Sequence, residues 1–97
     1  MAIQSFKDDV THDLFHGVET KKTARFKGLE KVIRRKLDMI HYAHKLIDLK
    51  SPPGNCFEAL KRDLKGWHSI RVNDQWRIIF QWTQNGPQKV SIIDYHS

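Results

Sequence analysis

The sequence has little cysteine and no long apolar run. Its single cysteine, Cys56, excludes an internal disulfide, so a reducing compartment such as the cytoplasm is expected. No stretch approaches the ~20 apolar residues of a membrane span, and no basic start is followed by the apolar segment of a signal peptide. We therefore expect a cytoplasmic protein that has no membrane partner.

Negative charge is also scarce in this chain. Its 97 residues include 11 Asp and Glu against 17 Lys and Arg, which gives a net charge of +6. A basic domain favours an anionic partner, with RNA or DNA first, although a basic surface that is merely solvated gives the same composition. The length and the absence of internal repeats predict one domain over residues 1–97.

Two helices are predicted in the first half of the chain. Asp8 and Asp9 favour a helix N-terminus and Gly17 favours a helix end, so a short helix is expected up to about Phe15. A longer helix is predicted over residues 23–49, although a glycine at position 28 weakens its start and allows it to begin later. Its buried positions recur every three or four residues and are Leu29, Ile33, Leu37, Ile40, His44 and Ile47.

Strands are predicted at both ends of the chain. A short strand is expected at residues 2–6, and the second half carries the remaining strand segments, separated by turns rich in Pro, Gly, Asn and Asp. An Asn-Gly pair at residues 85–86 is a strong turn signal. The expected segments are 56–61, 67–72, 76–82 and 89–95.

The alternation of the central hairpin separates a core face from a second face. Ile70 shares a face with Val72, and the even-numbered residues from Trp76 to Trp82 share a face of the next strand. Pairing about Asp74 then sets Arg71 opposite Arg77 on the other face. Two adjacent cations repel unless an anion bridges them, which suggests a phosphate site; the alternative is a pair of solvated charges on an open sheet.

Basic residues crowd into the segment from Lys21 to Lys36, where Glu30 is the only acidic residue. On a helix they form a basic ridge that could follow a nucleic-acid backbone. A solvated helix face, or a surface for an acidic protein, would show the same pattern. The residues of this ridge that we expect to contact RNA are Lys31, Arg34 and Arg35, in addition to Arg71 of the hairpin.

Two pairs of histidines have the spacing of metal ligands on a helix. His12 and His16 are four residues apart, and His41 and His44 are three apart. Neither pair has a cysteine nearby or an obvious third carboxylate ligand, so no metal site and no cofactor are expected.

The chain ends on three side chains that can hold or move protons. Imidazole titrates near neutral pH and suits general acid-base catalysis, although a polar chain end is common by itself. Cationic donors on the neighbouring strands could stabilise a pentacoordinate phosphate while His96 or Glu58 moves protons. The residues of this expected constellation are Asp94, Tyr95, His96, Arg71, Arg77, Lys61 and Glu58.

Four segments resemble those of a known family, the HigB-type killer toxins of the RelE/ParE superfamily. They are Ile-x-Ser-Phe at 3–6, Leu-x-Ser-Pro-Pro-Gly-Asn at 49–55, Ser-Ile-Arg-Val-Asn-Asp-Gln-Trp-Arg at 69–77 and Asp-Tyr-His at 94–96. The last two together are far more specific than the charge pattern. The resemblance implies a RelE-like α+β fold, a small twisted antiparallel sheet with two N-terminal helices packed on one face.

The same resemblance implies an activity and a set of partners. It implies a ribosome-dependent mRNA endonuclease that inhibits translation without a metal, through attack by the ribose 2′-hydroxyl on the adjacent phosphate. It also implies a HigA-type antitoxin with a helix-turn-helix, which neutralises the toxin and represses their shared operon. The toxin would then meet operator DNA only through that antitoxin.

The family's site residues carry over by position, with two departures. Glu58 stands where some members have a histidine, which leaves the general base open, and Gln75 stands where some have an asparagine. The residues that match the family's site are Arg77, Lys61, Asp94, Tyr95 and His96.

Two other functions are compatible with the sequence. The ParE branch shares the fold but inhibits DNA gyrase, and it lacks the Asp-Tyr-His motif that closes this chain. A basic nucleic-acid-binding module without catalytic activity would need only the charge pattern.

Overall fold

A computed structural model describes residues 1–95, and His96 and Ser97 lie outside the described residues. The described chain forms two α-helices followed by a four-stranded antiparallel sheet, in the strand order β1-β2-β3-β4. The elements are α1 (Asp9–His16), α2 (Glu30–Tyr42), β1 (Glu58–Ala59), β2 (Trp67–Arg71), β3 (Trp76–Thr83) and β4 (Gly86–Asp94). The predicted α+β fold is confirmed.

Helix α1 begins and ends as the sequence predicts. Asp8 is its N-cap, and Asp8 Oδ1 accepts a hydrogen bond from the Thr11 amide at 2.8 Å. Gly17 closes the helix at a φ of 71°, a left-handed conformation that glycine adopts without strain. Asp8 and Thr11 also attach the helix to β4. Ser91 Oγ donates to Asp8 Oδ2 at 2.6 Å, and the Ile92 amide donates to Thr11 Oγ1 at 3.0 Å.

Helix α2 is shorter than the predicted helix over residues 23–49. Residues Thr23–Phe26 form a separate 3-10 turn, and the helix begins at Glu30, beyond Gly28, whose φ is +88°. The helix ends at Tyr42 because the Asp48 carboxylate accepts the backbone amides of His44 and Lys45, each at 3.0 Å, and so starts a new turn there.

The early end of α2 changes which residues are buried. Ile33, Leu37 and Ile40 are fully buried, as predicted. His44 is exposed and Ile47 is 61% exposed, so the prediction that both are buried is wrong. The 3-10 turn Leu46–Lys50 places Leu49 in the core in their stead.

Residues 2–6 do not form the predicted strand. They lie along the outer edge of β4, but among residues 1–95 their only bridge to a strand is the parallel one between Phe6 and Val90. Hydrogen bonds from the Gln4 amide to the Pro87 carbonyl (2.7 Å) and from the Val90 amide to the Ser5 carbonyl (3.1 Å) hold the segment there. The ladder stays short because β4 is irregular at Lys89, whose φ is a left-handed 53°.

Strand β1 is also shorter than the predicted strand over residues 56–61. Cys56 is left-handed (φ 45°, ψ 48°) after the 3-10 turn Pro53–Asn55, so pairing starts only at Glu58. Pairing ends before Lys61, which precedes another 3-10 turn, Arg62–Leu64. The hairpin of β2 and β3 is confirmed, and β4 begins at Gly86, earlier than the expected residue 89.

The two faces of the sheet differ as the hairpin alternation predicts. The helices pack on the face that carries Ile70, Ile78 and Phe80, all fully buried. Arg71 pairs with Arg77 in the β2–β3 register, which is the predicted pairing and places both on the opposite, open face. Within residues 1–95, no helix is long and apolar enough to cross a membrane.

Candidate active site on the open sheet face

Strand register brings four side chains together on the open face, three from different strands and one from the residue after β4. Glu58 of β1 pairs with Ser69 of β2, and Arg77 of β3 lies on the same face as Ser69. Ile93 of β4 pairs with Arg77, so Tyr95, two residues later, returns to the Arg77 side. We call Glu58, Ser69, Arg77 and Tyr95 the open-face cluster.

Arg77 is the fixed cation of the open-face cluster. The residue is only 7% exposed, although it lies on the face away from the helices. Its Nε donates to Ser69 Oγ at 2.9 Å and its Nη2 donates to the Cys56 carbonyl at 2.5 Å. Two hydrogen bonds in fixed directions orient the planar guanidinium, and its remaining N–H groups can serve a ligand.

Tyr95 joins the cation to a carboxylate. Its hydroxyl donates to Glu58 Oε1 at 2.7 Å, and the Arg77 guanidinium carbon lies 5.0 Å from the centre of its ring. The bond to Glu58 raises the pKa of the Tyr95 phenol, burial and the Glu58 charge raise it further, and Arg77 opposes the change. The phenol therefore keeps its proton at neutral pH.

Glu58 is the acceptor of the open-face cluster and is open to solvent. Its side chain is 43% exposed, and Oε1 lies 4.0 Å from Arg77 Nε. A carboxylate that is exposed on one side and held by a phenol on the other can take a proton from a ligand without losing its position.

Arg71 has a carboxylate partner of its own. Its Nη2 donates to Asp74 Oδ1 at 2.5 Å, across the turn between β2 and β3. The paired arginines of the hairpin are therefore each beside an acidic side chain, Arg71 beside Asp74 and Arg77 near Glu58. The Asp74 side chain is 98% exposed, so an incoming phosphate can replace it at little cost.

Asp94 lies apart from the open-face cluster. It pairs with Trp76 in the register, and its Oδ2 accepts a hydrogen bond from Gln75 Nε2 at 2.9 Å. The Tyr95 amide also donates to the Gln75 carbonyl at 2.8 Å. Gln75 thus contacts the end of β4 through both its side chain and its backbone carbonyl, which orients Tyr95. The predicted site residue His96 lies outside the described residues.

The other expected site residues lie before the turn Arg62–Leu64 and on helix α2. Lys61 is exposed at the start of the turn Arg62–Leu64, and the described contacts do not join it to Arg77. Lys31, Arg34 and Arg35 are exposed on α2, in the layer on the other side of the sheet. Arg34 lies against the end of α1, where its Nη1 is 3.1 Å from the position that a Cβ would take at Gly17.

Lys36 belongs to the basic run but lies inside the protein. It is 6% exposed, and its Nζ donates to Asn55 Oδ1 at 2.5 Å. Burial lowers the pKa of Lys36, and the charges of Arg35 and Arg71 lower it further. The expectation that Lys36 belongs to the exposed basic ridge is wrong. Its spacing of three residues from Ile33 and four from Ile40 was the signal for burial.

Three of the four paired histidines make packing contacts in the described structure, and His44 is exposed. The rings of His12 and His16 lie 4.2 Å apart, and His16 Nδ1 is 2.8 Å from the His12 carbonyl. The Ile3 amide donates to His41 Nδ1 at 3.2 Å, which ties the N-terminal segment to α2. Among residues 1–95, no three His, Cys, Asp or Glu side chains form a group that could hold a metal ion.

A family model and a named relative point to the same family. Residues 4–96 match the family model for the RelE-like toxin of the type II toxin-antitoxin system HigB. Toxin HigB-1 of Vibrio cholerae serotype O1 is 43% identical over 93 residues, which are 96% of this chain and 86% of that toxin. An uncharacterized protein of Haemophilus influenzae is 35% identical over 94 residues, 97% of this chain and 91% of its own length.

Proposed function

The chain belongs to the HigB-like family of RelE-like toxins of type II toxin-antitoxin systems, and we propose that it is a ribosome-dependent endonuclease that cleaves mRNA and thereby inhibits translation. Membership of this family implies a cognate antitoxin as a partner. The open-face cluster is the observation that supports cleavage, because it places a buried cation, a carboxylate and a phenol in mutual contact.

The proposed reaction is a transfer of the phosphate within the RNA chain. The ribose 2′-oxygen attacks the adjacent phosphorus, its proton passes to a base, and the bond to the 5′-oxygen breaks as that oxygen gains a proton. The products are a 2′,3′-cyclic phosphate and a 5′-hydroxyl. Negative charge grows on the non-bridging oxygens, and the free N–H groups of Arg77 stabilise it.

Two proton carriers are needed for this reaction. We assign Glu58 as the base that takes the 2′-hydroxyl proton, because its carboxylate is exposed on the side away from Tyr95. His96 is assigned as the acid that protonates the 5′-oxygen, since imidazole can hold a proton near neutral pH. Tyr95 keeps its own proton and holds Glu58 in place, and Asp94 acts through Gln75 on the position of Tyr95.

The remaining basic residues would bind RNA and the ribosome. Arg71 lies beside Arg77 and would contact a phosphate next to the scissile one. Lys61, exposed beyond β1, would reach the same strand of RNA. The exposed residues of α2 would contact ribosomal RNA, and they are Lys31, Arg34 and Arg35.

The proposal includes the setting in which the toxin works. It acts in the cytoplasm as one domain over residues 1–97, and it needs no cofactor. Its antitoxin is of the HigA type, and a helix-turn-helix in that antitoxin contacts operator DNA, so the toxin reaches DNA only through its partner.

One induction experiment tests this proposal against inhibition of DNA gyrase. Transcript 5′ ends and plasmid supercoiling are measured together after induction of the parent chain and of Arg77→Ala. We expect new 5′ ends inside translated frames with the parent, none with the variant, and unchanged supercoiling. Relaxed or broken DNA without new 5′ ends would overturn the proposal in favour of a gyrase inhibitor.

A further inference from the structure

We propose that Lys36 and Asn55 are positioning residues that fix the Arg77 guanidinium through the turn Pro53–Asn55. This inference rests on the proposed function, since it concerns the cation that we assign to the cleavage reaction. Neither residue touches the open-face cluster directly. Lys36 belongs to α2, on the helical side of the sheet, whereas Arg77 points from β3 to the open face.

Hydrogen bonds to the Asn55 side chain, followed by the backbone from Asn55 to Cys56, connect the two sides. Lys36 Nζ donates to Asn55 Oδ1, and Asn55 Nδ2 donates to the carbonyls of Leu49 (3.1 Å) and Ser51 (3.3 Å). Asn55 is fully buried, and these three hydrogen bonds hold its side-chain amide. Asn55 is the last residue of the turn, and the next carbonyl along the chain is the Cys56 carbonyl that accepts Arg77 Nη2.

The conformation of Cys56 makes this carbonyl depend on the turn. Cys56 is left-handed, with φ 45° and ψ 48°, a region that non-glycine residues adopt only where the surroundings impose it. The Cys56 amide donates back to the Pro53 carbonyl at 3.0 Å, which closes the turn. Because the Asn55 amide anchors the turn, a shift of Asn55 changes the direction of the Cys56 carbonyl and with it the orientation of Arg77.

Burial of a lysine ammonium beside a neutral amide costs free energy. Burial disfavours the charged ammonium, and Arg35 and Arg71 add repulsion, so the pKa of Lys36 is lowered. Within residues 1–95, Lys36 forms no ion pair. Its ammonium donates to the Asn55 amide oxygen. A buried lysine kept under these conditions points to the orientation of Asn55 as its role.

The test uses Lys36→Met, which keeps an unbranched side chain that is one atom shorter and removes the donor, with Lys50→Met as the exposed control. The Arg77 Nε–H is observed by NMR, and its signal is assigned by its loss in Arg77→Lys. Single-turnover cleavage on programmed ribosomes is measured in parallel. We expect Lys36→Met to shift the Nε–H signal, to speed its hydrogen exchange, and to lower the cleavage rate constant about 10- to 100-fold at unchanged ribosome affinity.

Lys36→Arg should restore most of the rate and the parent Nε–H signal, because arginine also donates to an amide oxygen. If Lys36→Met does not fold, Asn55→Asp takes its place, since it keeps an oxygen acceptor and loses both amide donors; the same losses are expected. An unchanged Arg77 Nε–H signal in the folded variant would overturn the inference, whatever happens to cleavage. Absence of cleavage by the parent chain would instead overturn the proposed function, and it is seen before any variant is made.

Discussion

The Tyr95 hydroxyl donates a 2.7 Å hydrogen bond to Glu58 Oε1, which links the last described residue of the chain to its shortest strand. The two residues are 37 positions apart, and Arg77 lies close to both of them. This hydrogen bond joins the terminal motif to a glutamate on a distant strand. Through it, the Glu58 carboxylate raises the pKa of the Tyr95 phenol.

The pKa of Tyr95 reports this contact directly. Glu58→Gln removes the negative charge and weakens the acceptor that raise the phenol's pKa, so we expect the pKa of Tyr95 to fall. The measurement is the midpoint of phenolate absorbance in a Tyr42→Phe background, which leaves Tyr95 as the only tyrosine. Glu19→Gln is the matched control, and an unchanged midpoint in Glu58→Gln would show that the bond is absent in solution.

Replacement of Arg77 should affect both cleavage and folding. Loss of a cation directed at a developing phosphate charge costs roughly 10²- to 10³-fold in rate. An arginine on an open face could be removed without harm to folding, but Arg77 is buried and bonded to Ser69 and Cys56.

We therefore expect Arg77→Ala to lower the free energy of unfolding by about 1–3 kcal/mol, as measured by denaturant titration. Ser69→Ala removes only the Nε acceptor and should cost less stability and less activity than Arg77→Ala. Parent-like stability of Arg77→Ala would show that the guanidinium is not held in this way.

His68 gives the fold a dependence on pH. It lies between Phe57 and Phe80, and within residues 1–95 its buried Nδ1 has no hydrogen-bond partner. Burial lowers the pKa of His68 below its ordinary value of 6.5. As the pH falls below 6.5, His68 therefore binds a proton more readily in the unfolded chain than in the folded one. The free energy of unfolding is unaffected by this group above that pH and decreases below it.

We expect His68→Phe to reduce this acid sensitivity, because a phenylalanine at this position has no charged form. The measurement is the difference in unfolding free energy between the variant and the parent across the same pH range. His44→Phe, at an exposed position, is the control. Equal pH dependence in the parent and His68→Phe would contradict the assignment.

The exposed basic residues of α2, Lys31, Arg34 and Arg35, should determine the affinity for the ribosome and not the rate of the chemical step. Reversal of Arg34 and Arg35 to Glu should weaken binding and reduce the slope of log affinity against log salt, since fewer counterions are released. Reversal of Lys45 and Lys50 makes the same change in net charge at other exposed positions and is the control. An equal salt slope for both double variants would show that this face of α2 does not meet RNA.

The sequence predicted the parts of the fold that depend on neighbouring residues. Asp8 and Gly17 defined α1, and strand alternation placed Arg71 opposite Arg77. The end of α2 was missed because the Asp48 carboxylate, several residues later, competes for the backbone amides that would continue the helix.

The sequence named Glu58, Arg77 and Tyr95 as site residues but did not reveal the contacts between them. Contacts such as Tyr95 with Glu58, or Arg77 with the Cys56 carbonyl, join residues far apart in the chain and depend on where turns place the backbone. Lys36 was counted with the solvated basic residues because its charge outweighed its core-facing spacing. The separation of Asp94 from Arg77 follows from strand parity, which the terminal motif alone does not reveal.

Single-turnover cleavage of mRNA on programmed ribosomes, by the parent, Glu58→Ala and His96→Ala, tests whether this protein is a ribosome-dependent endonuclease. We predict that the parent cuts ribosome-bound mRNA and leaves free RNA intact. Each variant should be slowed roughly a hundredfold to ten-thousandfold at unchanged ribosome affinity, because each removes one proton carrier. Cleavage by both variants at the parent rate would contradict the assigned proton transfers, since neither Glu58 nor His96 would then move a proton in the reaction.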